Sequence, residues 1–394
     1  MHILMLNYEY PPIGGGAAPI TRALCEHLAA AGHHVDVVTM GYRKLPFCED
    51  FYDGRLRVFR VPALRRSPVR AVTIEMSSYL VTALFWALWL TFQRRYDLIH
   101  AHFLMPTGVL AAILKRLRGL PLIVTIHGSD VPGYNPDRFK RGHRVLAPAW
   151  RKIVRNVDRI ISPSAYLAGL LQRAYPTPVE VVPNGYDAAT MPEIPRRKQI
   201  LFVSRLFPRK GAQHLIAALK GLDLQGWEVI IAGDGPILDE LKQQAAALNI
   251  PIRFPGFVKG RELHELYAGS EIFVFPSLHD NFPTVLLEAL AAGCAIITNN
   301  VTGMPEVVGE AGILVKPHDI DGLQAAIKRL MDDETLRLEL RRRAVMQVQH
   351  FSWDIVLTYH LNLYNQVLSQ ARALPSYRAE KHATRDSDIN VNDA

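Results

Sequence analysis

Twice along this 394-residue chain the same alternation of short apolar runs, glycine-bearing loops and helical stretches begins anew. His2 to Leu6 reads as a strand, Pro11-Pro12-Ile13-Gly14-Gly15-Gly16 as a loop, Ala17 to Ala31 as a helix stopped by Gly32, and Val35 to Met40 as a second strand. The pattern restarts at Ile200 to Ser204. A loop from Arg205 to Gly211 follows, then a helix from Ala212 to Leu219, a strand from Glu228 to Ala232 and the turn Gly233-Asp234-Gly235-Pro236. Strands that alternate with helices build parallel sheets covered by those helices. The length is comfortable for two such α/β domains. Between them, Met191 to Lys198 is rich in proline and charge, has no periodicity, and reads as the linker.

Further buried strands are expected at Asp97–Ala101, Leu122–Ile126, Arg159–Pro163 and Glu180–Val182. In open α/β sheets, ligands bind just beyond the carboxyl ends of the strands. His102 and His127-Gly128-Ser129-Asp130 fall at such ends; His102 is read as structural. The three glycines Gly14–Gly16 would let the backbone approach a ligand closely. They do not form the Gly-x-Gly-x-x-Gly fingerprint, which weakens a dinucleotide-dependent oxidoreductase.

Three scattered cysteines, Cys25, Cys48 and Cys294, are too few for a disulfide framework or a metal cluster, so a reducing compartment, the cytoplasm, is expected. The run from Met1 to Asn7 looks like a strand and not a signal peptide. Residues 1–190 carry 23 basic against 13 acidic side chains, whereas the remainder carries 22 against 24. Such asymmetry points the first half toward something anionic. No zinc-finger, RNA-recognition or helix-turn-helix signature supports nucleic acid. A phospholipid surface fits better, because Tyr79 to Phe92 is apolar nearly all round and carries Trp86 and Trp89. At 14 residues that run is too short to span a bilayer. Arg65, Arg66 and Arg70 precede it and Arg94 and Arg95 follow it, as expected for a helix at a headgroup boundary. A basic segment from Pro132 to Arg159, with Arg138, Lys140, Arg141, Arg144, Arg151, Lys152, Arg155 and Arg159, is either a solvated face or an anion-binding surface.

The stretch carrying most chemistry runs from Phe275 to Thr298. An apolar strand stops at Pro276-Ser277, a polar loop holds His279, Asp280 and Asn281, and a helix spans Pro283 to Ala292 with Pro283 in its first turn and Gly293 as its stop. The amides of Thr284, Val285 and Leu286 then lack helical partners and suit an anion such as a diphosphate. Glu288 follows one turn later, where a carboxylate can accept from sugar hydroxyls. A capped helix on a sheet explains the leucines and alanines, but not two carboxylates bracketing one helix start.

Asp280, seven residues, Glu288 and the following Ala-Leu-Ala-Ala-Gly resemble the signature of family 4 retaining glycosyltransferases, in which the first acid is usually glutamate. Arg205-x-x-x-x-Lys210-Gly211, the Gly14–Gly16 loop, His127-Gly128, Pro183-Asn184-Gly185 and Ile252 to Val258 match further elements of that family. The resemblance covers residues 1–372. It implies the fold called GT-B: two Rossmann-like doubly wound domains, 1–190 and 191–354, facing a central cleft, with a helix at about 355–372 crossing back to the first and a polar tail at 373–394. It also implies a retaining transfer of a sugar from a nucleotide-sugar donor to a hydroxyl of a glycan or lipid-linked acceptor.

In that scheme His127 and Asp280 are catalytic and contact the transferred sugar. Gly15 and Gly16 touch the donor diphosphate and acceptor. Arg205 and Lys210 neutralise the diphosphate, the backbone at Phe257 and Val258 holds the base, and Asn281, Phe282, Pro283, Thr284, Val285 and Leu286 form the loop and helix start. Glu288 holds the ribose. Thr302-Gly303-Met304-Pro305-Glu306 resembles a family turn, with Glu306 kept as structural. No metal or other cofactor is expected, since two cations and a helix start serve the departing diphosphate. A sugar-nucleotide epimerase or hydrolase on the same fold, or a non-catalytic nucleotide-sugar- or glycan-binding protein, stays open as an alternative.

Overall fold

The computed structural model describes residues 1–68, 71–134, 147–188, 191–224 and 226–373. Arg70, Arg138, Lys140, Arg141 and Arg144, as well as the tail from Pro375, lie outside the described residues. Two compact units emerge. The first comprises the described residues of 1–163 and 167–185 with those from Val356 on; the second comprises 164–166 and 186–355.

The first unit is built on eight strands: β1 (His2–Leu6), β2 (His34–Met40), β3 (Cys48–Phe51), β4 (Leu56–Val61), β5 (Leu98–His102), β6 (Leu122–Thr125), β7 (Arg159–Ser162) and β8 (Val179–Val181). Their order is β3-β4-β2-β1-β5-β6-β7-β8, with every pair parallel except β3 with β4. Ile3, Leu4, Met5 and Leu6 of β1 are fully buried, as central parallel strands covered on both faces must be. Helices α1 (Ala17–Ala30), α2 (Thr73–Gln93), α3 (Thr107–Arg118) and α4 (Ala165–Ala174) connect them. The β3–β4 hairpin is an addition to the expected strands. Its arginines obscure an apolar run, and they are neutralised in place: Arg57 meets Asp36 at 2.9 Å and Arg60 meets Glu49 at 2.7 Å.

The second unit has six parallel strands, β9 (Arg197–Val203), β10 (Glu228–Ala232), β11 (Ile252–Gly256), β12 (Ser270–Phe275), β13 (Ala295–Asn299) and β14 (Gly312–Val315), in the order β11-β10-β9-β12-β13-β14. Its helices are α5 (Ala212–Ala218), α6 (Leu238–Ala247), α7 (Gly260–Gly269), α8 (Thr284–Ala291), α9 (Met304–Val308), α10 (Ile320–Asp332) and α11 (Glu334–Gln349). The final helix, α12 (Trp353–Ala373), carries the chain back into the first unit, where the Tyr364 hydroxyl lies 2.7 Å from His100 Nδ1 on β5.

In each sheet one strand has neighbours that lead the chain in opposite directions: β1 between β2 and β5, and β9 between β10 and β12. These are topological switch points, where the loops diverge and leave a crevice at the carboxyl ends of the strands.

Candidate active site

In the second unit the sequence motifs converge on that crevice. The loop after β9 carries Arg205 and, in a short 3-10 turn, Pro208–Lys210; the loop after β12 carries Ser277 to Pro283. These loops touch directly: the Leu278 amide donates to the Arg209 carbonyl at 2.8 Å. Gly211 makes the contact possible. Its φ is +84°, and a Cβ there would sit 2.1 Å from the Pro276 carbonyl oxygen.

Across the junction, Lys210 Nζ lies 2.6 and 2.7 Å from the two Asp280 oxygens. The Ser277 hydroxyl donates to Asp280 Oδ2 at 2.6 Å. Lys210 is buried, and burial pushes its ammonium below the usual lysine range while Asp280 pulls it back up. Arg205 and Arg209 add like charge around it, and Arg205 is exposed with its guanidinium 5.8 Å from the Phe207 ring centre. An ammonium has three donors, so Lys210 keeps one beyond the carboxylate. Sequence reasoning gave Lys210 and Asp280 separate tasks; the fold joins them. It also passed over Ser277, Arg209 and Asn299, whose amide donates to the Pro276 and Ser277 carbonyls at 3.0 and 3.1 Å and pins the loop. The Ser277-x-x-Asp280 spacing was the available signal for the first of these.

The start of α8 requires two corrections. Pro283 is the residue before the helix, with extended backbone, and not part of its first turn. The Leu286 amide is not available to an anion, because it donates to the Pro283 carbonyl at 3.1 Å; among the described residues the Thr284 and Val285 amides have no such partner. Asn281 and Phe282 point inward. The Asn281 side chain accepts from the Ser164 hydroxyl at 2.5 Å, and the Phe282 ring packs 5.5 Å from Phe351. Glu288, half-buried one turn into α8, is pushed above the usual carboxylate range by burial, and its interaction with the Tyr267 hydroxyl works against that shift. Phe257 follows β11, with its ring 72% exposed, and Val258 is buried. Glu306 accepts the Ala165 and Tyr166 amides at 2.6 and 2.8 Å, a structural task as expected.

In the first unit the glycine loop follows β1, and the Gly15 amide donates to Glu9 Oε2 at 2.8 Å. Gly16 directly precedes α1. His127 stands in the turn after β6. Buried Asp130 shapes that turn by accepting the His127 and Gly128 amides at 3.1 and 3.0 Å, while its other oxygen accepts the Leu104 amide at 2.8 Å from the neighbouring loop. Gly128 adopts φ +119° beneath the Tyr134 ring, which a Cβ would approach to 2.7 Å. Burial holds the His127 imidazole down at about 3, so it is neutral at physiological pH.

Two parallel α/β units of this topology, with an arginine, a lysine–aspartate pair, a glutamate and a helix start gathered at one switch point, define a GT-B glycosyltransferase. The description Glycosyltransferase Family 4 matches residues 14–190, and Glycosyl transferases group 1 matches residues 190–347. An uncharacterized glycosyltransferase of Methanocaldococcus jannaschii is 30% identical over 92% of this chain and 98% of its own length. Among solved structures, sucrose-phosphate synthase from Thermosynechococcus elongatus superposes with a TM-score of 0.79 at 22% identity, covering 94% of this chain and all of that one. An Anabaena protein solved in complex with UDP and glucose gives 0.73 at 19% identity, over 93% of this chain and all of that one. The chain belongs to glycosyltransferase family 4 and is a transferase of glycosyl groups, EC class 2.4.

Proposed function

We propose that this transferase takes its sugar from a nucleotide-sugar donor, retains the anomeric configuration, needs no metal ion, and delivers to a hydroxyl of a glycan or lipid-linked acceptor. The observation that carries the proposal is the cluster at the β9/β12 switch point: exposed Arg205, the Lys210–Asp280 pair 2.6 Å apart, the α8 amides of Thr284 and Val285, and Glu288 one turn inside. Arg205 grips the diphosphate as a fork, and the third Lys210 donor and the helix start add to it. Positive potential then sits where charge develops on the departing nucleoside diphosphate, which is the task a metal performs elsewhere. Glu288 accepts from the ribose hydroxyls, while the backbone beside Phe257 and Val258 faces the base. Asp280 and His127 attend the transferred sugar, and Gly15 and Gly16 the diphosphate and acceptor. The UDP-bound Anabaena structure supports a nucleotide donor.

A thermal-shift panel of UDP-, GDP- and ADP-sugars tests the donor, since a ligand of the folded state raises its melting point. No shift with any of them would sink the proposal. Product anomers read by NMR test retention, and an inverted product refutes it. Activity lost in EDTA and restored by magnesium refutes metal independence.

A membrane role, peripheral on the cytoplasmic face and toward anionic lipid, is favoured by α2. The expected 14-residue run is in fact part of a 21-residue helix, long and apolar enough by composition to cross a membrane. Ile74, Val81, Phe85, Trp89 and Phe92 are exposed along it, with Phe85 at 65% and Phe92 at 73%. Trp86 is half-buried against Phe47 and Trp89. The arginine belt needs correction. Arg65 is buried and donates to the Ser67 and Pro68 carbonyls, and Arg94 pairs with buried Asp36 at 3.2 Å, so neither faces a headgroup. Exposed Arg116 and half-buried Arg118 of α3 take their place; the Arg118 guanidinium lies 4.3 Å from the centre of the Phe92 ring. Liposome flotation decides the matter. Absence of binding to anionic vesicles at low salt, or equal binding by a folded Phe85→Ser/Trp89→Ser variant, ends this proposal.

A further inference from the structure

His102, read from sequence as structural, ends β5 as a fully buried side chain in a row of nearly parallel imidazoles. Its ring centre lies 4.8 Å from that of His100 and 5.2 Å from that of His127. Both His100 nitrogens are engaged, Nδ1 with the Tyr364 hydroxyl at 2.7 Å and Nε2 with the Thr125 hydroxyl at 2.8 Å. His102 differs. Its Nδ1 lies 2.9 Å from His127 Nε2, and its own Nε2 is buried with no hydrogen-bond partner. Burial keeps both rings neutral, and a proton on neighbouring His100, His127 or His360 would oppose protonation of His102 further.

Two neutral imidazoles joined through Nδ1 and Nε2 share one proton there, and two arrangements are possible. If His127 donated, His102 would carry its proton on Nε2 as a buried N–H with no acceptor, which folded proteins almost never tolerate. If His102 donates from Nδ1, its Nε2 is only a bare acceptor, and His127 must carry its own proton on Nδ1. The His127 Nδ1 makes no hydrogen bond to the described residues and is not among the fully buried polar atoms. We propose that His102 is a positioning residue that holds His127 in its Nδ1–H tautomer, so that His127 meets substrate as a hydrogen-bond donor and not as a base. The consequence for turnover rests on the substrate-facing role of His127 proposed above. With its Nε2 occupied by His102, His127 can donate to a sugar hydroxyl or a phosphoryl oxygen but cannot take a proton from an acceptor hydroxyl.

The test is 15N NMR of the histidine-labelled full chain, comparing wild type with His102→Asn and His102→Leu. Asparagine puts an amide N–H where Nδ1 stood; leucine has none. His127 is expected as the Nδ1–H form in wild type and His102→Asn, and as a mixture rich in the Nε2–H form in His102→Leu. In parallel, kcat for the nucleotide sugar identified by the thermal-shift panel should fall about 10- to 100-fold in His102→Leu, the range known for losing a group that orients a metal-bound histidine. It should recover most of that in His102→Asn, with KM little changed in either. An Nε2–H form of His127 in wild type overturns the proposal, and that spectrum suffices even where the leucine variant fails to fold. An unchanged tautomer in a folded His102→Leu protein overturns it too. Full turnover in His127→Ala, with the tautomer set as expected, instead refutes the substrate-facing role of His127 and leaves the control exerted by His102 standing.

Discussion

Asp280→Ala should destabilise the second unit sharply, and the reason lies in Lys210. The ammonium sits 2.6 Å from one carboxylate oxygen and 2.7 Å from the other, with the two side chains only 10% and 18% exposed. Removing Asp280 leaves a buried cation with Arg205 and Arg209 nearby and, among the described residues, the Phe275 ring 5.6 Å from Nζ to soften it. Breaking a buried pair by deleting one partner costs about 3–5 kcal/mol, and the residual exposure here argues for the lower end, about 3 kcal/mol. For a domain of this size each kcal/mol moves the midpoint by about 2–4 °C, so the transition should fall by about 6–12 °C. Lys210→Met leaves Asp280 with the Ser277 hydroxyl and should cost less. The double variant should be more stable than Asp280→Ala alone, because the unpaired charge is gone. Calorimetry of the four proteins closes the cycle. Independent sites add to within about 0.5 kcal/mol, so additivity within that margin would refute the coupling argued here.

Glu288→Gln and Arg205→Ala should each weaken nucleotide-sugar binding by about 1.5–3 kcal/mol, the value of a charged hydrogen bond, and calorimetric titration at wild-type affinity would contradict both roles. Gly211→Ala should destabilise by more than about 1 kcal/mol, through left-handed backbone and the clash with the Pro276 carbonyl, as read by urea unfolding. Acid should weaken the first unit. His127 is held down at about 3 and His360 at about 4, both below the 6.5 of an unfolded chain, so the unfolded state takes up protons first. Their stabilisation is complete above pH 6.5 and is lost as pH falls from there, down to about 4 for His360 and about 3 for His127; the urea midpoint should drop more between pH 7 and pH 5 in wild type than in His360→Leu.

Much of this protein was legible in its residues. The alternation of apolar runs with glycine loops is a local property, and it sufficed for two parallel α/β units, because a parallel sheet buried on both faces admits little else. The Asp280/Glu288 and Arg205/Lys210 elements were legible for the same reason, each lying in one loop or one helix turn. What strand order brings together was not. Asp280 and Lys210 are 70 residues apart and meet only because β9 and β12 are neighbours in the second sheet. Arg65 and Arg94 look like a surface belt in the sequence, yet tertiary structure turns one onto its own loop and the other onto Asp36. His102 and His127, 25 residues apart, share a proton because β5 and β6 pair. Sequence spacing encodes helices, turns and strand faces; side chains brought together by sheet order depend on packing, and only the folded chain decides them.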